Sequence, residues 1–427
     1  QEKINRRELS MRAVSLKSEE HLNRSGRAGL LDGLCRRLVL GGNLNRIKGG
    51  CIVVRDGEQT YTFGEQAASN EFDVTITVNS PRFYGDLALG GSIGVGEAWM
   101  QGYWECDNLV NLVRLMVRNR DILDEMEGPL TLFARPFRKL SHFVNRNTRQ
   151  GARRNISAHY DLGNDFFSLW LDPSMMYSCA IFEPADISLA EAQHVRLERV
   201  CQRLNLQKGE HLVEIGSGWG SLAIHAARHY GCRVTTVTIS SEQYEWAKRK
   251  IEEAGLSERI HIMLKDYRDL EGQYDKLVSL EMIEAIGYEQ YDTYFAKCSE
   301  LLKPGGRMLI QAITIEDDRF DEYRKNVDFI QRYIFPGSCL PSVREIDASI
   351  ARVTDMLITQ IDDIGLHYAT TLREWRKNFF EQLEALKKLG YPDRFIRMWE
   401  FYLCYCEGGF LERSISDVHL VAVKKVN

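Results

Sequence analysis

The sequence predicts an α/β fold, a doubly wound and mainly parallel sheet preceded by a smaller α+β domain, and three observations carry that prediction. From residue 155 onward, short apolar runs rich in β-branched residues (HLVEIGS, RVTTVTIS, HIMLKDY, KLVSLEM and RMLIQAITI) alternate with helical text such as GSLAIHAARHY and EQYEWAKRKIEEAG. The first run ends in a glycine-rich turn, VEIGSGWG at 213–220, which lets a strand turn sharply into a helix. A length of 427 residues is well beyond one ordinary hydrophobic core, so two domains are expected.

Taken in order, residues 1–29 form a polar arm of mixed charge without a clear apolar face. Residues 30–134 form the small domain. GLLDGLCRRLVLGG reads as a short helix ended by Gly41 and Gly42, and CIVVRDGEQTYTF as a hairpin turning at Asp56-Gly57. FDVTITVNS is a strand, and the glycine-rich stretch GDLALGGSIGVGEAWMQGYWE precedes a helix, NLVNLVRLMVRN. Residues 135–154 are a linker with seven Lys or Arg residues, no acid and interleaved apolar side chains. That is the pattern of a solvated inter-domain segment or of a patch that sits on anionic lipid. Residues 155–427 form the large domain. Its tail runs from a strand-like HYATTL through helical text around EWRKNFFEQLEALKKLG to a final strand, DVHLVAVKK.

Composition excludes several classes. Hydrophobic residues at 44%, charged residues at 27% and nine prolines exclude a largely disordered or collagen-like chain. A net charge of −5 disfavours a nucleic-acid binder. Ten cysteines without paired spacing, in a chain large enough to be stabilised by burial, point away from a disulfide framework and toward a reducing, cytoplasmic setting. No apolar run reaches membrane-spanning length, and QEKINRRELS lacks the apolar core of a secretion signal. Cys404 and Cys406 in YLCYCEGGF lack the partners and spacing of a metal site and are expected in the core.

The turn at 213–220 is a cofactor motif. A dinucleotide site should read GxGxxG with an acid about 20 residues on, whereas here GxGxG follows Glu214 and no acid precedes Glu242 around the next strand end. NAD is therefore disfavoured, and S-adenosylmethionine (SAM) suits the turn. Asp266, in KDYRDL after the third strand, stands where a carboxylate accepts from an adenine amine. Glu284, in LEMIEAIG, is a carboxylate among apolar residues, costly to bury unless paired or functional.

HYDLGNDFFSLWLDPSMMYSCAIF (159–182), EIGSGWG, SLEMIEAIG (279–287), YIFPGSCLPS (333–342) and GLHYATTL (365–372) together resemble the cyclopropane fatty acid synthase family. These are SAM-dependent enzymes that add a methylene across the cis double bond of an unsaturated acyl chain. The resemblance implies a class I methyltransferase domain at 155–427 and a lipid-binding role for 30–134. It also implies unsaturated phospholipid acyl chains as substrate, peripheral association with an anionic membrane on its cytoplasmic face, and a homodimer. It implies SAM contacts from Tyr177, Ser178, Gly216, Gly218, Thr238, Ile239, Gln243, Asp266 and Tyr267. A bicarbonate ion beside the reacting methyl is implied too, held by Cys179, Glu284, Tyr368 and the backbone at Leu280.

The chemistry explains such a set. An alkene is a weak nucleophile and must be held dry and in line with the sulfonium methyl. Transfer leaves a carbocation, which a nearby anion stabilises, and a base must take a proton for the ring to close. Glu284 orients the anion, while Tyr368 donates to it and turns its ring to the cation.

The chain departs from the family at one bicarbonate ligand, a histidine on the fifth strand, where Gln311 stands; a frequent histidine after the glutamate is Ala285. Glutamine hydrogen-bonds an anion but carries no proton or charge. The expected activity is thus cyclopropane formation on phospholipid acyl chains. The main alternative is methyl- or methylene-branched unsaturated chains without ring closure. Further readings are a lipid-binding protein without activity and a small-molecule methyltransferase.

Overall fold

The computed structural model describes residues 28–65, 72–122 and 162–426. Nearly all of the polar arm and the whole basic linker lie outside them. The chain divides into two compact units, one of residues 1–144, 326–334 and 382–412, the other of 145–325, 335–381 and 413–427.

The first unit holds a four-stranded sheet, β1 Cys51–Asp56, β2 Gln59–Gly64, β3 Val74–Val78 and β4 Trp104–Cys106, in the order β2-β1-β3-β4. The hairpin forms as expected: Asp56 pairs with Gln59, and Gly57 takes the left-handed φ of 62° that the tight turn requires. The glycine-rich stretch precedes the helix Leu109–Arg118 as expected, but most of it is itself helical. Residues 85–100 lie in the helix Arg82–Met100, kinked at Gly91 (φ 54°, ψ −138°), and its glycines serve close packing: a Cβ on Gly96 would lie 2.3 Å from the Phe329 ring.

The segments 326–334 and 382–412, which the sequence places in the large domain, belong to this first unit because their side chains are committed there. Arg397, on the helix Asp393–Leu411, donates to the carbonyls of Trp99 (2.6 Å) and Trp104 (3.0 Å). Glu412 pairs with Arg114 and Arg118 at 2.7 and 2.6 Å. Cys404 is buried and Cys406 partly so, and neither is in a disulfide among the described residues.

The second unit is built on a seven-stranded sheet: β5 His211–Ile215, β6 Arg233–Thr238, β7 Ile260–Leu264, β8 Tyr274–Leu280, β9 Leu302–Ile315, β10 Met356–Asp363 and β11 Ile415–Lys424. Its order is β10-β11-β9-β8-β5-β6-β7, with β5 to β9 mutually parallel and β11 antiparallel to both neighbours. The five apolar runs of the sequence are β5 to β9, and DVHLVAVKK is β11.

Alternation along these strands feeds two cores. Met308, Ile310 and Ala312 of β9, with Leu420 of β11, pack under the helix Tyr291–Leu301 through Tyr294 and Phe295. Leu309 and Val421 face the opposite core, filled by Leu197, Val200 and Leu204 of the helix Leu189–Leu204. That helix starts in a full capping box, Ser188 with Glu191. Gln311 and His419, directly opposite each other across β9 and β11, fall on this second face.

HYATTL is not a strand. It lies in the helix Gly365–Glu381, whose buried Tyr368, Leu372, Trp375 and Phe379 recur at helical spacing. The strand before β11 is instead the edge strand β10. The helix begins tight against β11, for a Cβ on Gly365 would lie 2.3 Å from Ser416 Oγ and 3.0 Å from its Cα. Gly365→Ala is therefore expected to destabilise the unit by about 1–3 kcal/mol, read as a lower urea midpoint. An unchanged midpoint would show that the helix start can retreat freely.

Candidate active site

The carboxyl ends of β5, β6 and β8 come together at the glycine turn. Gly216 and Gly218 have φ of 96° and 49°, and the N–H groups of Gly216 and Ser217 both donate to Val237 O (3.0 and 2.8 Å). These bonds hold the turn open at the head of the helix Ser221–His225. Beside it Thr238 Oγ1 donates to Gln243 Oε1 at 2.9 Å, and Ile239 follows Thr238 at the end of β6. Asp266 is buried and binds the guanidinium of Arg268 through both oxygens (2.9 and 2.7 Å). The buried hydroxyl of Tyr267 has no partner among the described residues, an orphan polar group that a cofactor would satisfy.

Tyr177 sits among aromatic rings, with Trp375, Phe167 and Trp170 at centroid distances of 5.1, 5.4 and 5.5 Å. Trp375 in turn lies 6.0 Å from Tyr368. Ser178 gives its carbonyl to Gln193 (2.9 Å).

Next to the turn lies a layer of polar side chains centred on Glu281, the residue after β8. Its carboxylate accepts from the backbone N–H of Cys179 (2.7 Å), from Gln311 Nε2 (2.6 Å) and from the Tyr368 hydroxyl (2.7 Å). Its backbone is in the left-handed region (φ 47°), unfavourable for a side chain of this size, and its N–H bonds to Gln311 O at 2.8 Å. The following residue, Met282, packs against the cofactor turn, its Cγ 3.4 Å from where a Cβ on Gly216 would be.

Gln311 also donates to Asp417 (2.8 Å), while its carbonyl faces His419 Nε2 (3.1 Å) and the fully buried Arg196 (3.5 Å). Since the amide nitrogen serves two carboxyl groups, its oxygen faces the histidine, and His419 carries its proton on Nε2. Burial pushes His419 down to about 3, so the ring is neutral. Burial, followed by the charge of Glu281, raises Asp417 well above the usual range. Burial raises Glu281 as well, but the bonds from Tyr368 and Cys179 and the charge of Arg196 pull it back, so of the two carboxyls Asp417 is the better holder of the proton.

The sequence model of the mycolic acid cyclopropane synthetase family matches residues 147–420. The chain belongs to that family. It is 41% identical over 331 residues to tuberculostearic acid methyltransferase UfaA1 of Mycobacterium tuberculosis, covering 75% of this chain and 76% of that one. It is 38% identical over 343 residues to cyclopropane-fatty-acyl-phospholipid synthase of Escherichia coli, covering 80% and 85%. Among solved structures it resembles mycolic acid cyclopropane synthase CmaA1 complexed with SAH and CTAB, with a TM-score of 0.58 and 28% identity over 64% of this chain and 98% of that one. The enzyme is a SAM-dependent methyltransferase that acts on lipids, and its second unit has the class I fold. No described helix is long and apolar enough to cross a membrane.

Of the residues expected at the cofactor, Gly216 and Gly218 form the turn, Thr238 ends β6 beside it with Ile239 and Gln243 following, and Asp266 and Tyr267 follow β7, while the anion set converges on a different centre. Cys179 contributes its N–H, whereas its thiol points to the Ala180 and Ile364 carbonyls (3.2 and 3.7 Å). Leu280 ends β8 opposite Gln311. Glu284 lies one turn away, accepting from Ile313 N (2.5 Å), with Oε2 lacking a partner among the described residues. Cys179, Tyr368 and Gln311 are all bonded to Glu281, so the expected ligand set does not fit a free bicarbonate. Sequence reasoning missed Glu281, although the signal that singled out Glu284, an acid in an apolar run, applies to it equally.

Burial, and secondarily the charge of Glu281, raises Glu284 from the ordinary 4.5 to about 8. Between those pH values the folded state holds a proton that the unfolded chain has lost, so stability falls as pH rises, by up to roughly 1.4 kcal/mol per pH unit. Glu284→Gln removes this dependence. Urea midpoints at pH 5 and pH 8 should show wild type losing ground to the variant as pH rises. A constant difference would mean that Glu284 does not titrate in this window.

Proposed function

We propose that the enzyme transfers the methyl of SAM to the cis double bond of unsaturated acyl chains in membrane phospholipids, forming a carbocation that is quenched by proton loss. The observation that carries this reading is the adjacency of an aromatic wall (Tyr177, Trp375, Tyr368) to the carboxylate of Glu281 beside the SAM turn. Ring faces and a fixed anion are the two devices that stabilise a cation in a site from which water is excluded. The SAM ligands in this reading are the residues at the turn, with Asp266 and Tyr267 on the adenine side. The name of the E. coli relative supports the phospholipid as acceptor, and the basic segment 135–154 supports docking on anionic lipid. A homodimer and a cytoplasmic peripheral location belong to the same reading.

Ring closure is the ending that the family resemblance supports. A second ending, a methyl- or methylene-branched chain, is favoured by a specific observation: Gln311, committed to Glu281 and Asp417, supplies no titratable group where the family has histidine. UfaA1, named a methyltransferase, is in accord with it.

Vesicles of a monounsaturated phospholipid, incubated with enzyme and SAM trideuterated at the methyl, separate the endings. A ring retains two deuteriums, loses the alkene and shows upfield ring protons. A methylene branch retains two with a terminal alkene, and a methyl branch retains three with an internal one. Absence of label in the lipid would overturn the proposal. Gln311→His is expected to move the product mixture toward the ring, and an unchanged mixture would remove Gln311 as the determinant.

A further inference from the structure

Three groups that the family resemblance assigns to a free anion are spent on a side chain. The Cys179 N–H, the Tyr368 hydroxyl and the Gln311 amide all reach Glu281 within 2.6–2.7 Å. These are the lengths of strong hydrogen bonds to a charged acceptor. Glu281 sits at a backbone position with φ 47°, where glycine would be at ease and a glutamate is strained. The strain persists because the side chain is held at its far end. The residue as a whole is only partly covered, while its carboxyl is enclosed by these donors.

We infer that Glu281 is a built-in substitute for bicarbonate: its carboxylate faces the acyl cation and takes the proton released in product formation, and turnover does not draw on dissolved bicarbonate. The inference rests on the proposed lipid reaction and balances as follows. The sulfonium C–S bond breaks with its electron pair going to sulfur, giving S-adenosylhomocysteine, and the alkene π pair forms the new C–C bond. The cation left on the neighbouring carbon is then quenched by the electron pair of a C–H bond, which closes the ring or forms the new double bond. The proton passes to Glu281 and leaves to water with the product. Tyr368 and Gln311 are positioning residues in this step.

The test compares wild type with Glu281→Gly, which suits the backbone, and Glu281→Gln, which keeps the shape without the charge. Unchanged S-adenosylhomocysteine binding in both variants establishes that they are folded. Bicarbonate, and separately formate, is titrated calorimetrically into each protein saturated with S-adenosylhomocysteine. Binding to Glu281→Gly alone is the expected result, and binding of bicarbonate to wild type would overturn the inference. Turnover is then measured in CO2-free buffer with and without added bicarbonate. Wild type should be indifferent and Glu281→Gln slower by roughly 10²-fold or more. Bicarbonate-dependent turnover of wild type, or full activity of Glu281→Gln, would overturn the inference. The titration involves no lipid, so a wrong acceptor shows in the labelling experiment while the role of Glu281 is still decided.

Discussion

A carboxylate held inside the second unit by three donors is the constraint around which the rest of the site is arranged. Leaving an ionised carboxyl unpaired away from water costs several kcal/mol. The fold answers by bringing donors from three separate parts of the chain: Cys179 from the segment before the first parallel strand, Gln311 from β9, and Tyr368 from the helix after the edge strand. Arg196, fully buried on the helix Leu189–Leu204, supplies the positive charge, and Asp417 stays neutral beside them. Removing any donor leaves a charge under-satisfied, so each element is tied to the others through Glu281 as well as through apolar packing.

The parallel sheet makes this convergence possible. The ends of β5 and β8 are adjacent, and the chain leaving β8 passes the cofactor turn at Met282 immediately after Glu281. β11, running antiparallel between β9 and β10, places His419 directly opposite Gln311 and Asp417 two residues earlier on the same face. The close approach at Gly365 seats the next helix against β11, so that Tyr368, one turn on, reaches the carboxylate. The polar layer is thus a product of strand alternation and one glycine contact.

The architecture was largely legible because its signals are local. β-branched runs, the glycine turn and the helical stretches between them identify β5 to β9 in order, and the resemblance locates the cofactor side. What escaped was non-local or ambiguous. HYATTL looks extended because it contains two threonines, yet its apolar residues continue at helical period into Trp375 and Phe379. Residues 382–412 follow the helix Gly365–Glu381 in sequence but are committed to the first unit by Arg397 and Glu412, contacts no local pattern announces. Glu281 was overlooked because a motif position drew attention to Glu284. Only three-dimensional placement shows which of two acids three residues apart collects the donors.

Gln311 follows from Glu281 rather than standing as an independent change. Its amide nitrogen has two hydrogens, one for Glu281 and one for Asp417, and its oxygen accepts from neutral His419. A histidine there has one ring nitrogen at each edge and cannot serve two carboxyl groups from one side while also accepting. A resident carboxylate and an amide at this position therefore form one chemical solution, and a free anion beside a histidine forms another. The two differ in how the base is held: burial raises Glu281 above the ordinary carboxylate range, and three donors fix its carboxylate in one place. A carboxylate so fixed cannot reach toward the new methyl as a free ion can, and slower proton removal lengthens the life of the cation, giving hydride migration to a more substituted cation time to compete with closure of the ring. On this argument the residues that make bicarbonate unnecessary are the same ones that tilt the enzyme toward a branched product.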